Sequence, residues 1–404
     1  MVIVKEVFMK LIERDFYLSR LISTMDTSDI KVITGVRRSG KCKLLEAFKI
    51  YISDSIKDYN VIHINFNKRE FDDIKDAKLL YDYISNKYVS GKSNFVLIDE
   101  VQMCNDFEKV INWLHAEEKY NIYITVSNAF LLSSDLATLF TGRTFEIKMF
   151  PFSFREYLKY NNSDDIYNLF DRYVLEGGMA GSYLYNNNED KYEYLKDVYN
   201  TLIMRDIIKK YKIRNVEIIN SLNDFLMDNI SNLVSARSIT KEISKSSKTI
   251  SDKTISKYIN YLCSAFMYYR VRRYDIQGKK YLSSQDKFYL VDHSFKYALI
   301  GTKNMNYGRI YENMVAIELL RRGYELYVGV LHNKEIDFVA IKRDEKIYIQ
   351  VSDDISNEKT FNREVAPLLQ IRDAYPKMVI ARTRHDDYQY EGIKIIDIAN
   401  FLGL

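Results

Sequence analysis

The sequence predicts the α/β class: a parallel sheet covered by helices, followed by a mostly helical stretch and further α/β structure. Three observations carry that reading. Strand-like and helix-like segments alternate through residues 1–160, with strand candidates at 31–34, 61–66, 94–99, 120–126 and 145–149. Such alternation implies strands joined by helical crossovers. Several candidates are short runs of apolar, often β-branched residues, as expected for strands buried on both faces. The apolar content is 47%, enough to bury real cores across two or three domains of a 404-residue chain.

The elements are best taken in chain order. Residues 11–25 read as a lead-in helix. Its Arg14–Leu18 stretch could line a base pocket, although core packing is the plainer use. The strand at 31–34 is followed by Gly-Val-Arg-Arg-Ser-Gly-Lys-Cys at 35–42 and then by helical spacing through 43–52. Strand, glycine-rich loop and helix N-terminus point backbone amides and the helix dipole at a phosphate. Gly35, Arg38, Ser39, Gly40, Lys41, Cys42 and Lys43 are the candidate nucleotide-binding residues, with Lys41 reaching the β/γ-phosphates. The apolar strand at 94–98 ends in Asp99-Glu100. Ligands bind at the carboxyl ends of strands in open α/β sheets. Asp99 is therefore expected to hold the Mg²⁺ shell, and Glu100 to orient or deprotonate the attacking water. The strand at 120–126 ends in Ser127-Asn128, and Asn128 could reach the γ-phosphate or the water. Arg143, in a polar turn after the helical stretch 131–142, is either a surface arginine or a finger acting in cis or from a neighbouring subunit.

With these residues in place the chain resembles a group of prokaryotic AAA+-type ATPases that carry a C-terminal domain of unknown function. The resemblance rests on Gly35–Lys41, on Leu-Ile-Asp-Glu-Val-Gln ending at 102, on Ser127-Asn128, and on residues 131–143. Phe-Pro-Phe-Ser-Phe-Arg-Glu-Tyr at 150–157 adds to it. Gly177-Gly178-Met179-Ala180 is similar to that group's Gly-Gly-Met-Pro. The resemblance implies a P-loop NTPase core over residues 1–150, ATP and Mg²⁺ as ligands, and ATP hydrolysis. The group usually has Ser where Cys42 stands. Mg²⁺ wants hard oxygen ligands in near-octahedral geometry, and a thiol is soft. Cys42 is thus a weak metal ligand at best, and hydrolysis is expected to be slowed. A nucleotide-loaded scaffold that does not hydrolyse is the alternative. A redox-sensitive Cys42, activated by the helix N-terminus, is another.

Residues 151–215 read as a helical lid. Within it Arg205 is either a nucleotide sensor or half of an exposed ion pair. Residues 216–304 resemble a winged helix, with helices at 238–243 and 254–262 and wing strands at 267–274 and 278–282. Lys245, Lys248, Lys253 and Lys257 surround the candidate recognition helix. Arg270, Arg272, Arg273, Lys279 and Lys280 lie on the wing. Such a face suits DNA phosphates, or else a protein partner. Residues 305–404 resemble a restriction-endonuclease-like PD-(D/E)XK core, matched by Glu312, Asp337 and Gln350. The lysine of that pattern falls on Ser352, so nuclease activity is not expected.

Net charge is only +4, so bulk charge selects no partner. Three cysteines form no disulfide framework and fit a reducing, cytoplasmic setting. Lys5 and Glu6 interrupt the first apolar stretch, which argues against a signal peptide. No apolar run approaches the roughly 20 residues that span a bilayer. If Arg143 acts from a neighbouring subunit, the chain works as a homo-oligomer.

Overall fold

A computed structural model describes residues 14–126, 140, 142–245, 250–303 and 305–404. The chain divides into two compact units, Met1–Gly35 with Gly40–Met149, and Val36–Ser39 with Phe150–Leu404.

The first unit contains α1 (Asp15–Ser23), β1 (Ile30–Thr34), α2 (Lys41–Ser55), β2 (Tyr59–Asn65), α3 (Ala77–Ser85), β3 (Ser93–Asp99), α4 (Phe107–Ala116), β4 (Tyr120–Val126) and β5 (Thr144–Lys148). The strands form one sheet in the order β2-β3-β4-β1-β5, with every pairing parallel. Side chains alternate across it. Val32, Ile64, Val96, Ile98 and Ile124 pack on one face with α3 and α4 residues such as Leu80 and Ile111. Ile33, Phe95, Leu97, Tyr123 and Ile147 pack on the other with Tyr17, Leu21, Leu45 and Phe48 of α1 and α2. Tyr17 therefore serves packing, the plainer of the two uses expected for Arg14–Leu18. Lys31 is buried in β1 yet stays satisfied, because its ammonium donates to Thr27 O at 2.6 Å.

The second unit begins with α5 (Phe154–Asn161), α6 (Ile166–Glu176) and α7 (Asn188–Thr201), which runs on into a π-helix, Leu202–Lys209. Then come α8 (Val216–Asp228), α9 (Ala236–Ile243), α10 (Asp252–Ser264), β6 (Tyr268–Asp275), β7 (Lys280–Leu290), α11 (Ser294–Ile300) and α12 (Tyr307–Arg321). The remainder is β8 (Glu325–Leu331), β9 (Lys334–Lys342), β10 (Glu345–Ser352), α13 (Glu358–Leu369), β11 (Lys377–Ala381), β12 (Tyr388–Tyr390), β13 (Ile393–Asp397) and α14 (Ile398–Gly403).

Helices α9 and α10 and the β6–β7 hairpin stand where the winged-helix reading places them, but the hairpin is not a free wing. β6 pairs in parallel with β8, from Arg272 opposite Tyr327 to Asp275 opposite Val330. The result is one sheet in the order β12-β13-β11-β10-β9-β8-β6-β7, running across the boundary drawn at residue 304. The physical reason lies in β7. It continues well past residue 282 into Phe288, Tyr289 and Leu290, all buried, and an isolated two-stranded hairpin is marginal in water. One apolar cluster joins Tyr157, Leu202, Leu222, Ile259, Tyr289, Val315 and Phe401, so the helices that follow residue 150, the hairpin and the C-terminal elements share a core.

Candidate active site

The loop after β1 shows why two of its positions must be glycine. Gly35 has φ +143°, and a Cβ there would sit 2.1 Å from Met149 O. The close approach arises because Met149 N–H donates to Thr34 O at 2.8 Å, drawing the end of β5 against the loop. Gly40 has φ +98° and caps the N-terminus of α2. The left-handed region favours glycine at both places. Lys41 is buried, and its ammonium donates to Gly35 O at 2.9 Å, closing the loop on itself. Arg38, with φ +66°, and Lys43 are exposed, and Lys43 pairs with Glu46 at 2.7 Å on the outer side of α2. Ser39 is buried.

Asp99 and Glu100 lie at the C-terminal end of β3, and both are buried. Thr125, near the end of the intervening β4, ties them down. Its hydroxyl donates to Asp99 Oδ1 and accepts the Glu100 N–H at 2.9 Å. Glu100 adopts φ +56°, ψ +47°, a strained conformation for a residue with a Cβ, and its Oε2 accepts from Gln102 Nε2 at 2.5 Å. Thr125 is a site residue that the sequence reading missed. Its only signal is a polar side chain at the carboxyl end of an otherwise apolar strand.

Cys42 faces Asp99. Burial, with the negative charge of Asp99 behind it, pushes the thiol far above its ordinary range. A helix N-terminus would act the other way, but burial and Asp99 outweigh it and favour the neutral thiol over the redox-activated reading of Cys42. Burial also raises the Asp99 carboxyl. Asp99 Oδ2 is buried and has no hydrogen-bond partner of good geometry among the described residues. That orphaned oxygen fits a hydrated Mg²⁺ shell; the neutral thiol does not fit as a direct ligand.

Arg143 is not brought to this site. Ile30 N–H donates to its carbonyl at 2.9 Å, so Arg143 stands beside the start of β1, whereas the loop follows its end. Five residues of strand, at about 3.3 Å each, separate the two. Strand direction therefore disfavours action in cis. Asn128 lies outside the described residues, as does Lys248. Arg205 is exposed. Its neighbour Asp206, on the π-helix, is buried and binds Arg37 through two hydrogen bonds of 3.0 Å.

The C-terminal residues singled out earlier do converge, on a partner the sequence reading missed. Lys287 of β7 is 2% exposed and reaches Glu312 Oε1 at 2.8 Å, Glu335 Oε1 at 2.8 Å and Asp337 Oδ1 at 3.5 Å. Tyr289 Oη also donates to Glu312 Oε1, at 2.7 Å. Gln350 Oε1 accepts Asp337 N–H at 2.7 Å, and Asp337 Oδ2 accepts Val351 N–H at 2.9 Å. Burial pushes the Glu312 carboxyl up to about 7, while the surrounding carboxylates push Lys287 upward despite its burial. The only forewarning in sequence is a lysine beside Phe-Tyr-Leu-Val in a buried strand.

Among the described residues no helix is long and apolar enough to cross a membrane. Comparison with known proteins places the chain. Residues 27–158 match the AAA domain family and residues 167–306 match a domain of unknown function, DUF8612. An uncharacterized protein of Haemophilus influenzae is 37% identical over 97% of this chain and 98% of its own length. One from Methanocaldococcus jannaschii is 29% identical over 88% of this chain and 80% of its own. Among solved structures, a Walker-type ATPase of Pyrococcus abyssi aligns at 15% identity over 72% of this chain and 96% of its own, with a TM-score of 0.49. The AAA-domain match and the phosphate-loop geometry agree, and the chain belongs to the same family as the uncharacterized Haemophilus influenzae protein.

Proposed function

We propose that this protein binds ATP in the Gly35–Cys42 loop and hydrolyses it slowly, using nucleotide state to switch the elements that follow the ATPase core. One observation carries the reading: Lys41 and the Asp99-Glu100 pair, fixed by Thr125, meet at the carboxyl ends of parallel strands. Lys41 would leave Gly35 O to meet the phosphates. Glu100 would orient or deprotonate the attacking water. Mg²⁺, when bound, neutralises phosphate charge; Asp99 would hold its water shell, and Cys42 would leave one coordination position unserved.

The test is steady-state ATP hydrolysis by the unaltered chain, by Glu100→Gln and by Cys42→Ser, with ATP binding measured beside it. Turnover that Glu100→Gln abolishes without loss of binding supports the reading. Turnover insensitive to Glu100→Gln overturns it. Binding with hydrolysis only in Cys42→Ser supports the second reading, a nucleotide-holding scaffold, which the neutral thiol favours. DNA contact through α10 and β6 remains the third. Arg270 and Arg272 are exposed on β6, although Arg270 is engaged by Asp286 at 3.0 Å. Salt-dependent DNA retention lost in Arg272→Ala would favour it.

A further inference from the structure

We infer that Lys287 is the resident cation of the Glu312–Glu335–Asp337 cluster, its ammonium standing where a divalent metal ion would otherwise be held. The cluster is thereby a metal-free clasp and not a dormant cleavage site. The inference concerns the C-terminal sheet and is independent of the ATPase reading.

Four observations converge on it. First, Lys287 and Tyr289 are two residues apart on β7, and Glu335 and Asp337 two apart on β9, so each pair projects from one face of its strand. Glu312 comes in from α12. Three elements distant in sequence thus meet at one Nζ. Second, the ammonium has three donors and three carboxylates within 3.5 Å to receive them. Third, one oxygen each of Glu312 and Glu335 and both oxygens of Asp337 are already engaged. Glu312 Oε1 takes both Lys287 and Tyr289. Asp337 Oδ1 takes Lys287, and its Oδ2 takes the Val351 amide. Gln350, in the third-motif position, turns its carbonyl oxygen to the Asp337 amide and its NH₂ to Glu364 Oε2 at 3.3 Å. Fourth, Lys287 is held too deeply to swing away into solvent.

The electrostatics agree. A buried ammonium is costly unless paired, and several carboxylates brought together without a cation repel one another. Each half of the cluster is tolerable only because of the other. Removing the ammonium should leave a hard, oxygen-lined pocket with excess negative charge, which is the chemistry of a Mg²⁺, Mn²⁺ or Ca²⁺ site. Arginine at 287 would keep the charge but carries a larger, planar head.

The experiment uses the full chain without nucleotide and Mn²⁺ as probe, with free Mn²⁺ followed by electron paramagnetic resonance. In the unaltered chain we expect Mn²⁺ binding to be unchanged by Asp337→Asn. In Lys287→Met we expect at least tenfold tighter Mn²⁺ binding, abolished when Asp337→Asn is added, and a melting temperature that rises with Ca²⁺. Mn²⁺ binding to the unaltered chain that Asp337→Asn removes would overturn the inference. So would a Lys287→Met chain of native circular dichroism that gains no Mn²⁺ affinity. The first arm needs no change at Lys287, so it decides the matter even where Lys287→Met fails to fold.

Discussion

Cys42 and Asp99 face each other where a phosphate loop ordinarily offers a hydroxyl to a hydrated metal. Burial and the adjacent carboxylate keep the thiol protonated, so it supplies neither a hard oxygen nor a thiolate. Cys42→Ser should raise the rate of ATP hydrolysis by about 10–100-fold, the usual scale for restoring a metal-supporting group. Steady-state phosphate release measures it, and an unchanged rate would remove Cys42 as the limit. At Glu312 the consequence is pH dependence of stability. Its carboxyl rises from the ordinary 4.5 to about 7 on folding. The folded chain therefore binds that proton more tightly than the unfolded chain, so the associated stability is full below about 4.5 and is lost as pH rises to about 7. Urea unfolding at pH 5 and pH 7.5 should show this loss, and Glu312→Gln should diminish it. At this scale the sequence was a good guide to the loop and to Asp99-Glu100, because local spacing encodes them. It was blind to Thr125 and Lys287, whose roles depend on partners brought in by strand pairing.

Among the elements, the Gly177-Gly178 pair after α6 shows how a short motif can be structural. A Cβ on Gly178 would lie 2.2 Å from Phe152 O, and one on Gly177 would lie 2.2 Å from Asp292 Oδ1. Asp292 is buried and accepts the Gly178 amide at 2.6 Å, along with the amide and hydroxyl of Ser294. The glycines let α6 and α11 meet around that carboxylate. Gly178→Ala should therefore cost about 1–3 kcal/mol through overpacking, read as a lower urea midpoint with ATP affinity retained. The helix and strand identities in this region follow from periodicity. What local pattern could not convey is that β6 would find β8, because a parallel pairing across an intervening strand and two helices leaves no short-range trace.

For the whole chain, ATP should stabilise the folded state by mass action. A ligand at 100 times its Kd contributes about 2.7 kcal/mol. A non-hydrolysable ATP analogue should raise the midpoint of the first unit's thermal transition, and Lys41→Ala should abolish the rise while leaving the ligand-free midpoint nearly in place. A midpoint that rises equally in Lys41→Ala would place the nucleotide elsewhere. The first unit was legible nearly entire, since alternating βα elements dictate a parallel sheet. The second was legible only as separate helices and strands, although these share one apolar cluster and the strands of 268–397 form one sheet.

That shared sheet bears on how such a gene can be cut and joined. The matched domain of unknown function stops at residue 306, before β8 begins at Glu325. A polypeptide ending there would carry β6 with its β8-facing edge bare and Lys287 without Glu312, Glu335 or Asp337. An open strand edge invites aggregation, and residues 150–306 expressed alone should be recovered as insoluble material. Recombination that separated the two halves would thus strand a cation in one lineage and its anions in another, and selection should keep them inherited as one block.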